Sequence, residues 1–344
     1  MSVEVPEPAT GPERLLRWLT AGPLQRWPWL LPAISFAAGW AGFLLIQRGE
    51  AMARTIAVMA LIGWPWLLAE TVLGGWLVKL SKGRLSAGLL GFVTQNLQQE
   101  ILFFTLPFLL GATQRDVGQM AFTGLVAVGA LISSLDPLYH SRIAAHPGVS
   151  VAFHAFCTFV ASVVVLPMAA AMPLEQVLPV AIGVSGVWMV LGLPRMLSGI
   201  GNHRIRLLGI AALPIAFLLL WEFRAHIPPA GLSLKNSRMT QTVEGLRPGP
   251  EIKRIRADAL LAEGIVAFVA IRAPAGLAQS VVFEWWHRNE RLDEVPAQIQ
   301  GGNEYGWRTF TRKQNFPSDP RGKWRVDVLT PQGQLICRLS FVVD

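Results

Sequence analysis

The chain is short of charge and of cysteine, and each shortage narrows what it can be. Only 15% of its 344 residues are Asp, Glu, Lys or Arg, against ~25% in a typical soluble domain. An apolar share of 52% and a mean hydropathy of +0.42 go with that deficit. The two cysteines, Cys157 and Cys337, stand far apart, which excludes a disulfide framework and a CxxC metal site. The net charge of +8 is spread along the chain with no basic block. It reads as loop charge facing anionic lipid, not as a nucleic-acid footprint. The first apolar run, Trp27 to Ile46, is longer than the ~7–15 residues of a secretory signal core, so it is expected to stay as a span.

What is present is uneven. Residues 28–222 carry long apolar runs, whereas residues 223–344 have the composition of a soluble domain. A spanning helix needs roughly 20 apolar residues. Seven segments meet that length, about 28–46, 55–78, 88–111, 117–138, 149–171, 174–194 and 206–222. Only Met172-Pro173 separates the fifth from the sixth. Ten Lys and Arg (Arg14, Arg17, Arg26, Lys79, Lys82, Arg84, Arg142, Arg195, Arg204, Arg206) fall on the N-terminal side, against three (Arg48, Arg54, Arg115) opposite. The positive-inside rule then predicts a cytoplasmic N-terminus and, after seven crossings, a C-terminal domain outside. Six or eight crossings would reverse that placement. Trp27-Pro28-Trp29-Leu30-Leu31 and Trp64-Pro65-Trp66-Leu67-Leu68 read as interfacial aromatics with proline kinks. The expected layout is a cytoplasmic lead (1–27), a membrane domain (28–222), a linker (223–237) and an extracytoplasmic β domain (238–344).

One apolar segment is interrupted by polar side chains: Thr94-Gln95-Asn96-Leu97-Gln98-Gln99-Glu100. In hydrocarbon such groups face a bundle interior or a wet cavity. By depth, Glu70, Gln95, Asn96, Gln99, Glu100, Ser133, Asp136, His140 and His154 all fall in the cytoplasmic half. Gln95 and Gln99, and Asn96 and Glu100, are i, i+4 pairs; His154, Thr158 and Ser162 form a stripe at the same spacing. Three readings follow: amides acting as interhelical glue, a ligand, ion or proton path, or an intramembrane hydrolase. In the last, Asp136, His140 and His154 would hold a metal and Glu100 would act as general base. Gln99-Glu100-Ile101-Leu102-Phe103 is faintly similar to the Glu-Glu-x-x-x-Arg helix of the CAAX-type intramembrane proteases. Gln99 replaces the first Glu and Phe103 the Arg, so that family's metal logic is not carried over.

From Arg238 the pattern turns to strands, expected at 238–244, 253–259, 264–272, 280–287, 292–299, 305–312, 322–329 and 334–343. Thr330-Pro331-Gln332-Gly333 reads as a hairpin turn. This count suggests an immunoglobulin-like sandwich. Phe283-Glu284-Trp285, Trp307-Arg308-Thr309-Phe310-Thr311-Arg312-Lys313, Gly322-Lys323-Trp324-Arg325-Val326-Asp327-Val328, Gly333 and the closing Leu339-Ser340-Phe341-Val342-Val343 resemble the bacterial Domain of Unknown Function 2914 family. Gln99–Phe104 and Asp136-Pro137-Leu138-Tyr139 are similar to Domain of Unknown Function 5924, which accompanies it. The resemblance implies architecture and bacterial origin, and no activity.

Most of the tryptophans are expected in the sandwich core. Trp286, Trp307, Arg308 and Lys313 are candidates for a glycan- or polymer-binding surface, with Arg308 and Lys313 alternatively laddered against Glu284. The expected protein is thus a membrane α-helical bundle of about seven transmembrane helices plus a C-terminal all-β immunoglobulin-like sandwich. It sits in a bacterial inner membrane with its sandwich in the periplasm, binds a partner protein or envelope glycan, and uses no cofactor and no nucleic acid. The alternative is an intramembrane enzyme or transporter built on Glu100, Asp136, His140 and His154.

Overall fold

A computed structural model describes residues 87–344 except 199, 275 and 304, with isolated positions at 37 and 41. The spans expected at 28–46 and 55–78, both Trp-Pro-Trp motifs and Glu70 lie outside the described residues. Five long helices are described: α1 (Ala87–Ala112), α2 (Val117–Ser134), α4 (Pro147–Ala169), α5 (Leu174–Met196) and α6 (His203–Glu222). The short helix α3 (Asp136–Tyr139) and a π-helical turn (His140–Ala144) lie between α2 and α4. Among the described residues, four helices are long and apolar enough to cross a membrane, Val117–Ser134, Pro147–Met168, Leu174–Met196 and His203–His226. Helix α1, with its polar stretch, is not among those four.

The helix boundaries have local causes. Asp116 caps α2, its Oδ1 accepting from the Gly118 and Gln119 amides at 3.0 and 3.2 Å. Asn202 does the same for α6 through Arg204 N at 2.9 Å. Pro147 opens α4 at a position whose N–H would have no intrahelical acceptor. The span expected at 117–138 ends earlier, at Ser134, because Pro137 cannot donate to the carbonyl four residues back and its ring clashes there. Asp136 and His140 therefore sit on a separate short segment, not on one face with Ser133.

The C-terminal region is β-rich. A three-stranded sheet has the order β1 (Ser233–Thr240), β5 (Ile265–Arg272), β8 (Trp307–Lys313). A five-stranded sheet has the order β4 (Arg254–Ile255), β10 (Leu335–Val343), β9 (Gly322–Leu329), β6 (Ala278–His287), β7 (Glu290–Gln300). β2 (Val243–Glu244) and β3 (Arg247–Pro248) form a small ribbon. Two expected boundaries shift. β1 begins at Ser233, not 238, and only Arg254–Ile255 of the strand expected at 253–259 pairs, in parallel with β10. The residues after it, Ala257–Glu263, are good helix formers and make α7, which stops on Gly264 at φ +73°.

The two sheets bury one core. Ile265, Val269, Ile271, Val281, Phe283, Trp285, Trp324, Val326, Leu339 and Phe341 share it with Leu174 and Val177 of α5. On β6 the alternation is clean, with Phe283 and Trp285 in the core and Glu284 and Trp286 partly exposed. Trp285 Nε1 donates to Thr311 Oγ1 of the opposite sheet at 3.1 Å, so a buried indole keeps its partner. Arg288 and Asn289, at φ +50° and +66°, form the two-residue turn between β6 and β7. The β9–β10 turn forms as expected, with Gly333 at φ +83° donating to Thr330 O at 2.8 Å.

Candidate functional site

The polar stretch sits in the N-terminal half of α1, and glutamines organise it. Gln98 is 1% exposed. Its Nε2 lies 3.2 Å from His154 Nδ1 on α4, and its Oε1 accepts from Tyr139 OH on α3 at 2.8 Å. Because the amide nitrogen donates, His154 Nδ1 accepts and the ring proton sits on Nε2. The His154 ring meets Trp188 of α5 edge to face at 4.9 Å. One amide thus joins α1, α3 and α4, and the imidazole extends the contact to α5.

Gln95 has a different task. Its Nε2 donates to Ser133 O at 3.0 Å and to Asp136 Oδ1 at 2.8 Å. Ser133 O is the carbonyl that residue 137 would have satisfied in a continuous helix, and residue 137 is proline. A side chain from the neighbouring helix fills the bond that the proline leaves open, as apolar surroundings require.

The remaining candidates do not converge on one centre. Glu100 is exposed, Asn96 donates to Phe92 O of its own helix at 2.7 Å, and Gln99 is buried. Asp136 and His140 are exposed, and His140 Nδ1 is 2.9 Å from Asp136 O. His154 is buried, and Thr158 and Ser162 bond back to their own helix at 3.0 and 2.7 Å. Among the described residues no group of three or more His, Cys, Asp or Glu is placed to hold a metal ion. Thr94 Oγ1, Gln99 Nε2 and His154 Nε2 are buried without a hydrogen-bond partner. Sequence reasoning missed Gln98 as the hub. The available signal was its place in the stripe Thr94, Gln98, Leu102, Thr105, which is buried throughout.

At the other end of the helices the β domain is bonded to the bundle. Gln279 Oε1 accepts from Leu174 N at 2.8 Å, capping α5 where Pro173 offers no side chain. Gln334 Nε2 donates to Ile227 O at 2.9 Å, and Gln119 Nε2 of α2 donates to Leu335 O at 2.8 Å. Gln119, Gln279 and Gln334 are each no more than 2% exposed. Arg224 Nε reaches Gln332 O at 3.0 Å, and Gln332 Nε2 reaches Glu175 O at 3.1 Å. The Asp116 carboxylate also stands 3.8 Å from Arg338 and 3.6 Å from His226.

On the β domain itself the four surface candidates separate. Trp286 lies on the outer face of the five-stranded sheet, under the Arg325 guanidinium at 4.6 Å and donating to Glu284 at 3.2 Å. Trp307, Arg308 and Lys313 are on β8, in the other sheet. Trp307 is 37% exposed and Arg308 is exposed, but Lys313 is only 7% exposed and pairs with Asp293. Lys313 is therefore a buried ion-pair member and not a surface ligand; burial lowers its pKa. Glu284 pairs with Arg291 at 2.7 Å and not with Arg308 or Lys313, because β6 and β8 belong to different sheets. Asp327 receives a two-pronged bond from Arg338 at 2.6 and 3.0 Å, which raises the Arg338 pKa. Burial, with Asp327 nearby, pushes the Cys337 thiol up to about 12, so it is inert.

These features define a class of protein: an apolar helical bundle, tied together by buried amides, with a two-sheet β domain seated on one end. The chain belongs to the family of unknown function (DUF5924), which it matches over residues 10–267. Residues 278–343 match a second description, protein of unknown function (DUF2914). Comparison with curated proteins and with solved structures gives no match. The seam between the two matched regions cuts through the β domain. β1, β4 and Ile265 to Ala267 of β5 fall in the first region, yet β5 pairs with β8, and β4 with β10, of the second.

Proposed function

We propose that this is a non-enzymatic protein of a bacterial inner membrane, with about seven spans and an immunoglobulin-like sandwich held in the periplasm. The sandwich binds a partner protein or an envelope glycan, and the bundle anchors it or relays its occupancy. The observation that carries this reading is the end on which the β domain sits. Asp116 and Gln119 of α2, the α4–α5 turn and the exit of α6 all meet it. The opposite helix ends carry Arg142, Arg195, Arg204 and Arg206. Cationic ends are retained in the cytoplasm, so the β domain is the exported part. The dispersal of Glu100, Asp136, His140 and His154 favours this reading over intramembrane chemistry. The amides around them do what interhelical hydrogen bonds do.

The buried glutamine contacts also make a relay physically reasonable. A force or ligand on the β9–β10 turn acts directly on α2, α5 and the residues after α6. The test is a pair of reporter fusions after Asp344, one active only in the periplasm and one only in the cytoplasm. The periplasmic reporter is expected to be active. Activity of the cytoplasmic reporter alone would overturn both the sidedness and the envelope role.

A further inference from the structure

The first turn of α2 is held by one carboxylate that two elements share. Oδ1 of Asp116 accepts from the Gly118 and Gln119 amides, while its Oδ2 faces Arg338 Nη1 of β10 at 3.8 Å. The same guanidinium sends its other two nitrogens, Nε and Nη2, to Asp327 of β9 at 2.6 and 3.0 Å. Asp327 is 5% exposed, so its charge needs cations held close. It has a second one, because Arg325 Nε stands 3.2 Å from Asp327 Oδ2. Arg325 in turn lies over the Trp286 ring of β6. The Trp286 indole donates to Glu284, and Glu284 pairs with Arg291 of β7.

From Asp116 to Arg291 these contacts run from the end of the helical bundle across β10, β9 and β6 to β7, the last strand of the five-stranded sheet. An isolated surface ion pair contributes little. Arg338 differs because it is divided between two carboxylates, one on the bundle and one on the sheet. Its pull on Oδ2 favours the Asp116 rotamer that leaves Oδ1 in front of two amides with no acceptor inside the helix. The closer Arg338 is held to Asp327, the weaker that pull becomes.

We propose that Arg338 makes the cap of α2 respond to the outer face of the five-stranded sheet. With Arg325 in place, Asp327 has two cations and Arg338 extends to Asp116. With Arg325 drawn away, Asp327 relies on Arg338 alone, the guanidinium withdraws from Asp116, and the first turn of α2 frays more often. An anionic group that takes hold of Arg325 acts in the same sense. The two-state element is the turn itself, capped or frayed, and both ends of the contact chain bias it. Gln119 of the same turn donates to Leu335 O, so fraying also loosens the seat of β10 on the bundle. The inference rests on the relay part of the reading above and names the residues that carry it.

The test is a double-mutant cycle on the full chain in detergent, read by hydrogen exchange. The peptide read begins several residues before Asp116 and spans Val117 to Met120; a peptide spanning β5 reports global opening. Arg325→Gln should make the α2 turn open about threefold more often and leave β5 unchanged. Asp116→Asn keeps a capping oxygen but deletes the charge that Arg338 meets. In that background Arg325→Gln should change the turn less than 1.5-fold, roughly the floor of the coupling. Arg338→Gln should silence Arg325→Gln in the same way, and if that variant does not fold, the Asp116 cycle still decides. Lys323→Gln, an exposed cation elsewhere on β9, should leave the turn within about 1.5-fold of the parent. An unchanged turn in Arg325→Gln overturns the proposal. So does an equal effect of Arg325→Gln with Asp116 and with Asn at that position, or an equal rise in the β5 peptide. A cytoplasmic reporter result sinks the envelope reading whatever this cycle shows. A periplasmic result with an additive cycle sinks only the present inference.

Discussion

Gln279→Met should loosen the start of α5 without unfolding the β domain. In the parent, the Leu174 amide is buried and its acceptor comes from Gln279, 105 positions further along the chain, at 2.8 Å. Pro173 supplies no side-chain cap, so nothing on the helix itself replaces that oxygen. Methionine keeps the length and most of the volume of glutamine, so the cavity penalty is small. What is lost is a cap worth ~1 kcal/mol, and what is left is a buried donor costing ~1–3 kcal/mol. These describe the same missing bond and are not summed, giving about 2 kcal/mol. At a factor of ten per ~1.4 kcal/mol, local opening becomes about 30-fold more frequent. Hydrogen exchange on the intact chain in detergent, read on a peptide that begins several residues before Pro173 and spans Leu174, measures this directly. Gln332→Ala removes a bond on the same interface that lies near its exposed rim; exchange there should change about twofold or less. Parent-like exchange at Leu174 in the methionine variant would refute the reasoning. An equal rise across every peptide would refute it as well, because the loss would then be global.

Two further outcomes follow from the geometry. Gln95→Leu should destabilise the helical part by about 1–2 kcal/mol, and adding Pro137→Ala should recover at least half of the loss by supplying an N–H for Ser133 O. Thermal unfolding of the four members of that cycle reads the coupling, and simple additivity would show that Gln95 does not stand in for the missing backbone bond. A fragment of residues 278–344 should fail to give a dispersed amide NMR spectrum, since it deletes β5, the neighbour of β8, and the core residues Ile265, Val269 and Ile271. A folded fragment would mean that β6, β7, β9 and β10 are stable without β4 and without the partner layer.

The parts of this molecule that were legible in the sequence are those set by local rules. Period-two patterns placed β5 to β10 to within a few residues, and the apolar runs after residue 117 gave the four helices long enough to span a membrane. The strand expected at 253–259 failed because Ala257–Glu263 has local helix propensity that outweighed a weak alternation. The bundle–β interface was illegible for a different reason: Gln119, Gln279 and Gln334 look like surface residues until partners more than 100 positions away cover them. The polar helix falls between these cases. Spacing identified its pairs, but spacing alone does not say which arc of a helix faces protein. At 100° per residue, Thr94 and Gln98 lie within roughly 40° of each other, Gln95 and Gln99 follow roughly 100° on, and Asn96 and Glu100 roughly 100° beyond those. The structure buries the first two pairs and leaves Glu100 exposed, with Asn96 between. The carboxylate drew notice as the costliest group to place in hydrocarbon. A carboxylate only accepts, whereas an amide, which donates and accepts at once, bridges Tyr139 and His154 from inside the packed arc. In this bundle, then, the residue that holds the helices together is the neutral one.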